Sequence, residues 1–103
     1  MGMKDFILLM RTDGGALAPR PVDAWPTYFA TLRNANAFEG GSAIGDGVVM
    51  SKHAPQTRSD LTPISGYIRL RAESLEAACA LVAGNPLYEA GGTVEVRELP
   101  RSD

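Results

Sequence analysis

A chain of 103 residues, 45% hydrophobic and 21% charged, has the size of one compact domain, and residues 1–103 are read as a single unit. Ten basic against twelve acidic side chains leave a formal charge of −2, which argues against nucleic acid or an anionic membrane surface as a partner. No apolar run, that of residues 6–10 included, is long enough to span a bilayer, and the N-terminal ten residues lack a basic start before a cleavable apolar segment, so a cytoplasmic protein is expected.

Residues 5–11, DFILLMR, are apolar on both faces, as expected of a central strand covered on both sides. The following TDGGALAPRPVD is a loop leading to a helix that Asp23 is placed to cap. Trp25, Tyr28, Phe29, Leu32 and Ala35 recur at helical spacing, with Pro26 in the first turn, and this helix is expected to run to about Phe38. In EGGSAIGDGVVM, Gly45-Asp46-Gly47 fits a hairpin turn or a bulge, and one irregular strand near 42–50 is the preferred reading. Residues 51–65, SKHAPQTRSDLTPIS, are polar, hold two prolines and show no period, which predicts a long loop.

GYIRLRA, residues 66–72, alternates strictly, with Ile68, Leu70 and Ala72 on one face and Tyr67, Arg69 and Arg71 on the other. Ser74 is a good cap for a second helix with an apolar stripe of Leu75, Ala78, Cys79 and Val82, and Gly84 ends it. Asn85-Pro86 prevents continuation, 87–90 suit one further turn, and Gly91-Gly92 reverse the chain into the strand TVEVREL. The order strand, helix, strand, strand, helix, strand predicts an α+β fold of the ferredoxin-like βαββαβ kind with an antiparallel sheet, both helices on one face. The other face would carry Tyr67, Arg69, Arg71, Glu95, Arg97 and one parity of the first strand, either Phe6 and Leu8 or Ile7 and Leu9. Such a face is too apolar to stay wet, so a homodimer is expected.

FEGGSAIG, GYIRLRAESLEAA and GNPLYEAGGTVEVREL together resemble the YCII-related, or DGPF-domain, proteins, and with the first strand the likeness covers most of the chain. The resemblance implies a dimeric α+β barrel, in a superfamily that includes muconolactone isomerases and small cofactor-free monooxygenases. Some relatives look like lyases or dehydrochlorinases acting on ring compounds through a His and Asp pair. Here the loop after the first strand has Asp13 but no histidine, and the Asp-Gly-Pro-Phe signature is missing, so that pair is not carried over.

Among chemical candidates, His53 is the only histidine and the natural general base near neutral pH, against the plain reading of an exposed loop residue. Arg69, Arg71 and Arg97 present forked donors suited to a carboxylate or enolate, or else to ion pairs with Glu95. Tyr67 and Trp25 are candidates to stack on a ring, and Ser42 with its neighbouring glycines to donate to an anion. Cys79 is expected to be a buried, inert thiol, and Tyr88 and Glu89 to be packing and surface. One histidine, one cysteine and scattered carboxylates predict no metal, and no cofactor is expected. The two functional expectations are a small-molecule-binding dimer or cofactor-free lyase or isomerase acting on a small anionic or ring compound, and a non-catalytic dimeric regulatory or interaction module.

Overall fold

The computed structural model describes residues 2–15 and 17–101. The chain runs β1 (Lys4–Arg11), α1 (Ala24–Asn34), β2 (Phe38–Ala43), β3 (Val49–Ser51), β4 (Ala54–Thr57), β5 (Ile64–Ala72), α2 (Leu75–Ala80), α3 (Pro86–Glu89) and β6 (Val94–Leu99). Four strands form an antiparallel sheet in the order β2-β5-β1-β6, and β3 and β4 pair separately as a hairpin, giving an α+β architecture. No helix among the described residues is long and apolar enough to cross a membrane.

Side-chain alternation decides which face of the sheet is packed. On β1, Phe6, Leu8 and Met10 are buried while Asp5, Ile7, Leu9 and Arg11 are half-buried, so the open face carries the Ile7 and Leu9 parity. On β5, Ile68, Leu70 and Ala72 are buried beside them, as the alternating sequence predicts. Tyr28 and Leu32 of α1, Ala78 of α2, Leu87 of α3 and Val82 complete one core, with both longer helices on the same face of the sheet. Phe6, Leu8, Leu32, Ile68 and Leu70 are fully buried, each worth about 1.5–3 kcal/mol on removal from water.

Local chemistry sets the ends of the elements. Ser74 Oγ accepts from Ala77 N–H at 3.0 Å and starts α2 as expected, whereas Asp23 occupies the cap position of α1 without a side-chain hydrogen bond. Helix α2 ends at Ala80, ahead of the expected Gly84 stop, and Gly84, at φ +90° in the left-handed region, instead helps turn the chain toward α3. Asn85 Oδ1 then accepts from Leu87 and Tyr88 N–H at 3.0 and 3.1 Å, so this buried side chain caps α3.

Four further expectations are corrected. Helix α1 stops at Asn34 rather than near Phe38, because Asn36 turns left-handed at φ +56° and the Ala37 N–H donates back to the Leu32 carbonyl at 3.0 Å. The irregular strand expected at 42–50 is instead two separate strands, β2 ending at Ala43 and β3 starting at Val49. The long loop at 51–65 contains β4 and the start of β5, and the hairpin turns at Lys52 and His53. Cys79 is exposed, not buried, because the stripe is narrower than the sequence suggests: Ala78 and Val82 face the core, while Leu75 lies at the exposed start of a six-residue helix.

Tyr28 ties α1 to the end of α2, its hydroxyl donating to the Leu81 carbonyl at 2.7 Å. Burial pushes this phenol up to about 12, above its ordinary value of 10.0. A raised folded-state value means that the stabilisation is complete below the ionisation of the unfolded tyrosine and is lost as the pH climbs from 10 to about 12. Tyr28→Phe is expected to cost about 1 kcal/mol at pH 7 through the lost hydrogen bond. Urea denaturation should show the gap between the two proteins closing across that alkaline window; a constant gap would contradict the assignment.

Candidate functional site

Strand register arranges the open face as rows. Glu95, Leu9, Tyr67 and Ser42 stand side by side across β6, β1, β5 and β2; Arg97, Ile7, Arg69 and Gly40 form the next row, and Leu99, Asp5 and Arg71 the third. Glu95 lies 3.6 Å from Arg11 and 3.7 Å from Arg97, and Arg71 lies 3.9 Å from Glu39. The Arg101 hydrogen bond at 2.9 Å holds the Asp5 carboxyl below its usual value, and Arg11 does the same to Asp13. Arg69, in the centre, has no carboxylate within 4.0 Å among the described residues.

On the helix side a cleft of about 540 Å³ opens between α1 and the β2–β5 edge of the sheet. It exists because α1 carries two neighbouring stripes: Tyr28 and Leu32 fill the core, while Trp25, Phe29 and Arg33, each four residues apart, border the cleft. The rings of Trp25 and Phe29 lie 5.7 Å apart, Phe29 meets Phe38 edge to face at 5.4 Å, and the Arg33 guanidinium sits 5.1 Å over the Phe38 ring. Opposite this wall, Gly41 and Gly66 leave the sheet bare of side chains, with Ala43 and Ser65 beside them. Arg20, from the loop before α1, reaches the same cleft. Neither Arg20 nor Arg33 has a carboxylate within 4.0 Å among the described residues, although five other arginines do.

Of the sequence candidates, Trp25, Ser42 and Tyr67 border the cleft. Tyr67 and Ser42 share a row with Leu9, so their side chains belong to the open face and their main chain to the cleft. Arg69, Arg71, Glu95 and Arg97 come together on the open face, and His53 stands on the exposed turn of the β3–β4 hairpin, outside the cleft lining. Arg20, Phe29, Arg33 and Phe38 are cleft residues that sequence reasoning did not single out as a site. The four-residue spacing from Trp25 is a signal for Phe29 and Arg33; nothing local marks Arg20 or Phe38.

Among the described residues no group of three or more His, Cys, Asp or Glu side chains is placed to hold a metal ion. No protein-family model matches the chain, and no curated protein matches its sequence.

The sheet floor of the cleft depends on close approach of β2 to β5. A Cβ on Gly41 would lie 2.5 Å from the Tyr67 carbonyl oxygen and 3.1 Å from the Ile68 Cα, both backbone atoms that cannot swing aside. Gly41→Ala is therefore expected to destabilise the protein by about 1–3 kcal/mol. Gly45→Ala, where nothing lies within 4 Å, should leave the thermal midpoint in place. Equal midpoints for the two variants would show that the β2–β5 approach is loose.

Proposed function

We propose that the chain is a small-molecule-binding protein of the YCII-related type that works as a homodimer and holds small planar anions, such as aromatic carboxylates or phenolates, in the cleft beside α1. The carrying observation is the pairing of an aromatic wall with two arginines, Arg20 and Arg33, that lack carboxylate partners among the described residues. A ring stacks on Trp25 and Phe29, and its acidic group meets a guanidinium whose forked donors fit a carboxylate. Among the described residues the lining contains no imidazole, carboxylate or thiol, which favours recognition over proton transfer as the cleft's own chemistry. A lyase or isomerase would need a base from elsewhere, and the candidate His53 lies on the hairpin turn.

The ferredoxin-like reading takes support from the order of the elements once the β3–β4 hairpin is set aside, with β2, β5, β1 and β6 side by side. Pairing through the open face takes support from Ile7, Leu9, Tyr67 and Leu99, half-buried apolar side chains on a sheet face that no helix covers. A standard interface of ~1,600 Å², a little over half apolar, contributes roughly 20 kcal/mol at ~25 cal/mol per Å², above the ~4–15 kcal/mol that association costs.

Benzoate and its neutral isostere benzamide separate charge from ring. Calorimetric titration should give benzoate at least a tenfold tighter dissociation constant, and Arg33→Met should erase the difference, as loss of a charge-assisted hydrogen bond predicts. Equal affinities in the native protein would overturn the anion site. The dimer is checked separately by sedimentation, with Leu9→Asp, which sets a carboxylate beside Glu95 on the open face, expected to give a folded 11 kDa species. A native chain already at that mass at 100 µM would remove the dimer.

A further inference from the structure

We infer that the β3–β4 hairpin is a docking arm, and that it packs on a second copy of this chain rather than on its own domain. Two backbone hydrogen bonds mark where the arm leaves the body: the Ile44 N–H donates to the Ser65 carbonyl at 2.9 Å, and the Thr12 N–H to the Pro63 carbonyl at 2.7 Å. Between these points, residues 45–62 include not one buried side chain. β3 and β4 pair with each other and pack substantially on no other element. The arm's internal ties are an Arg58–Asp46 ion pair and local turns such as the Leu61 N–H to Arg58 carbonyl bond. A two-stranded hairpin held by so little is marginal in water, so its order calls for a surface to lie against.

The side chains on the arm say what kind of surface. Val48, just before β3, and Met50, within it, are 42% and 77% exposed, and Ile44 at the root is 41% exposed. Large apolar groups exposed along a projecting segment suit a protein interface. The dimensions of the molecule point to a second copy as the occupant. Its accessible surface, 7042 Å² for 11.0 kDa, exceeds by about 1,400 Å² the roughly 5,600 Å² of a compact monomer of that mass. Its radius of gyration is 15.3 Å against about 13 Å expected, and it measures 45 × 43 × 19 Å, a thin plate with an overhang. An excess of that size per chain matches what each subunit of a stable dimer buries, which the open sheet face and the arm supply together. The inference rests on the homodimer proposed above and adds the arm to its interface.

The test combines hydrogen exchange with sedimentation over a dilution series that crosses the dimer's dissociation constant. Amides of β3 and β4 should be protected in the dimer and exchange freely in the monomer. The pair of changes Val48→Lys and Met50→Lys, on exposed positions outside both the core and the cleft, should raise the dissociation constant at least tenfold with an unchanged circular dichroism spectrum. Arm amides protected equally in monomer and dimer would mean that the arm docks on its own chain. Unprotected arm amides in a stable dimer would mean that it is free for another partner; either result overturns the inference and leaves the homodimer standing. A chain that is monomeric at every concentration overturns both.

Discussion

Phe6, Leu8 and Met10, on one side of the central strand, are the contact that everything else is arranged around. β1 is hydrogen-bonded on both edges, to β5 and β6, so its side-chain parity fixes that of its neighbours. Once these three residues face Tyr28, Leu32 and Ala78, Ile68 and Leu70 must point the same way, and Tyr67, Arg69, Glu95 and Arg97 must point the other. A single choice of side thereby separates a helix-covered core from an open face that mixes charge with Ile7 and Leu9.

That separation produces two surfaces of different chemistry. On the open face most charges neutralise one another locally, through Arg11, Arg97 and Glu95 and through Arg101 and Asp5. On the helix side, α1 does not seal the sheet at its β2–β5 edge, because the sheet there offers glycines and small side chains, and aromatic rings line the opening instead. The arginines beside those rings meet no carboxylate from the described chain. The anion recognition proposed for the cleft rests on that imbalance rather than on any motif.

What the sequence made legible was what depends on near neighbours. The alternation at 66–72 and the Ser74 cap each express backbone chemistry within a few residues, and each is present as expected. The end of α1 was missed because Asn36 ended the helix, through hydrogen bonds back to the preceding turn, while the apolar spacing ran on to Phe38. The hairpin was missed because its strands are only three and four residues long and one contains Pro55, so no alternation accumulates. The cleft was invisible for a different reason: Arg20, Arg33, Phe38 and Gly66 lie on separate elements, and only the packing of α1 over the sheet brings them to one place. The choice between the two parities of the first strand also required the tertiary structure, since its run of apolar residues reads alike on both sides.

Helix α1 divides its labour between adjacent stripes, and this has a consequence for how such a domain diversifies. Tyr28 and Leu32 are buried at 2% and 0% exposure, while Trp25 and Phe29 are only half-buried and Arg33 is exposed. Substitutions along 25, 29 and 33 therefore fall mostly outside the constraint that keeps the chain folded, since a half-exposed position tolerates changes of volume that a close-packed core does not. Over generations, the residues that border the cleft can drift while those that hold the helix to the sheet stay put. One scaffold can thus give rise to descendants with unlike clefts, their kinship written in the buried stripe and their differences in the one beside it.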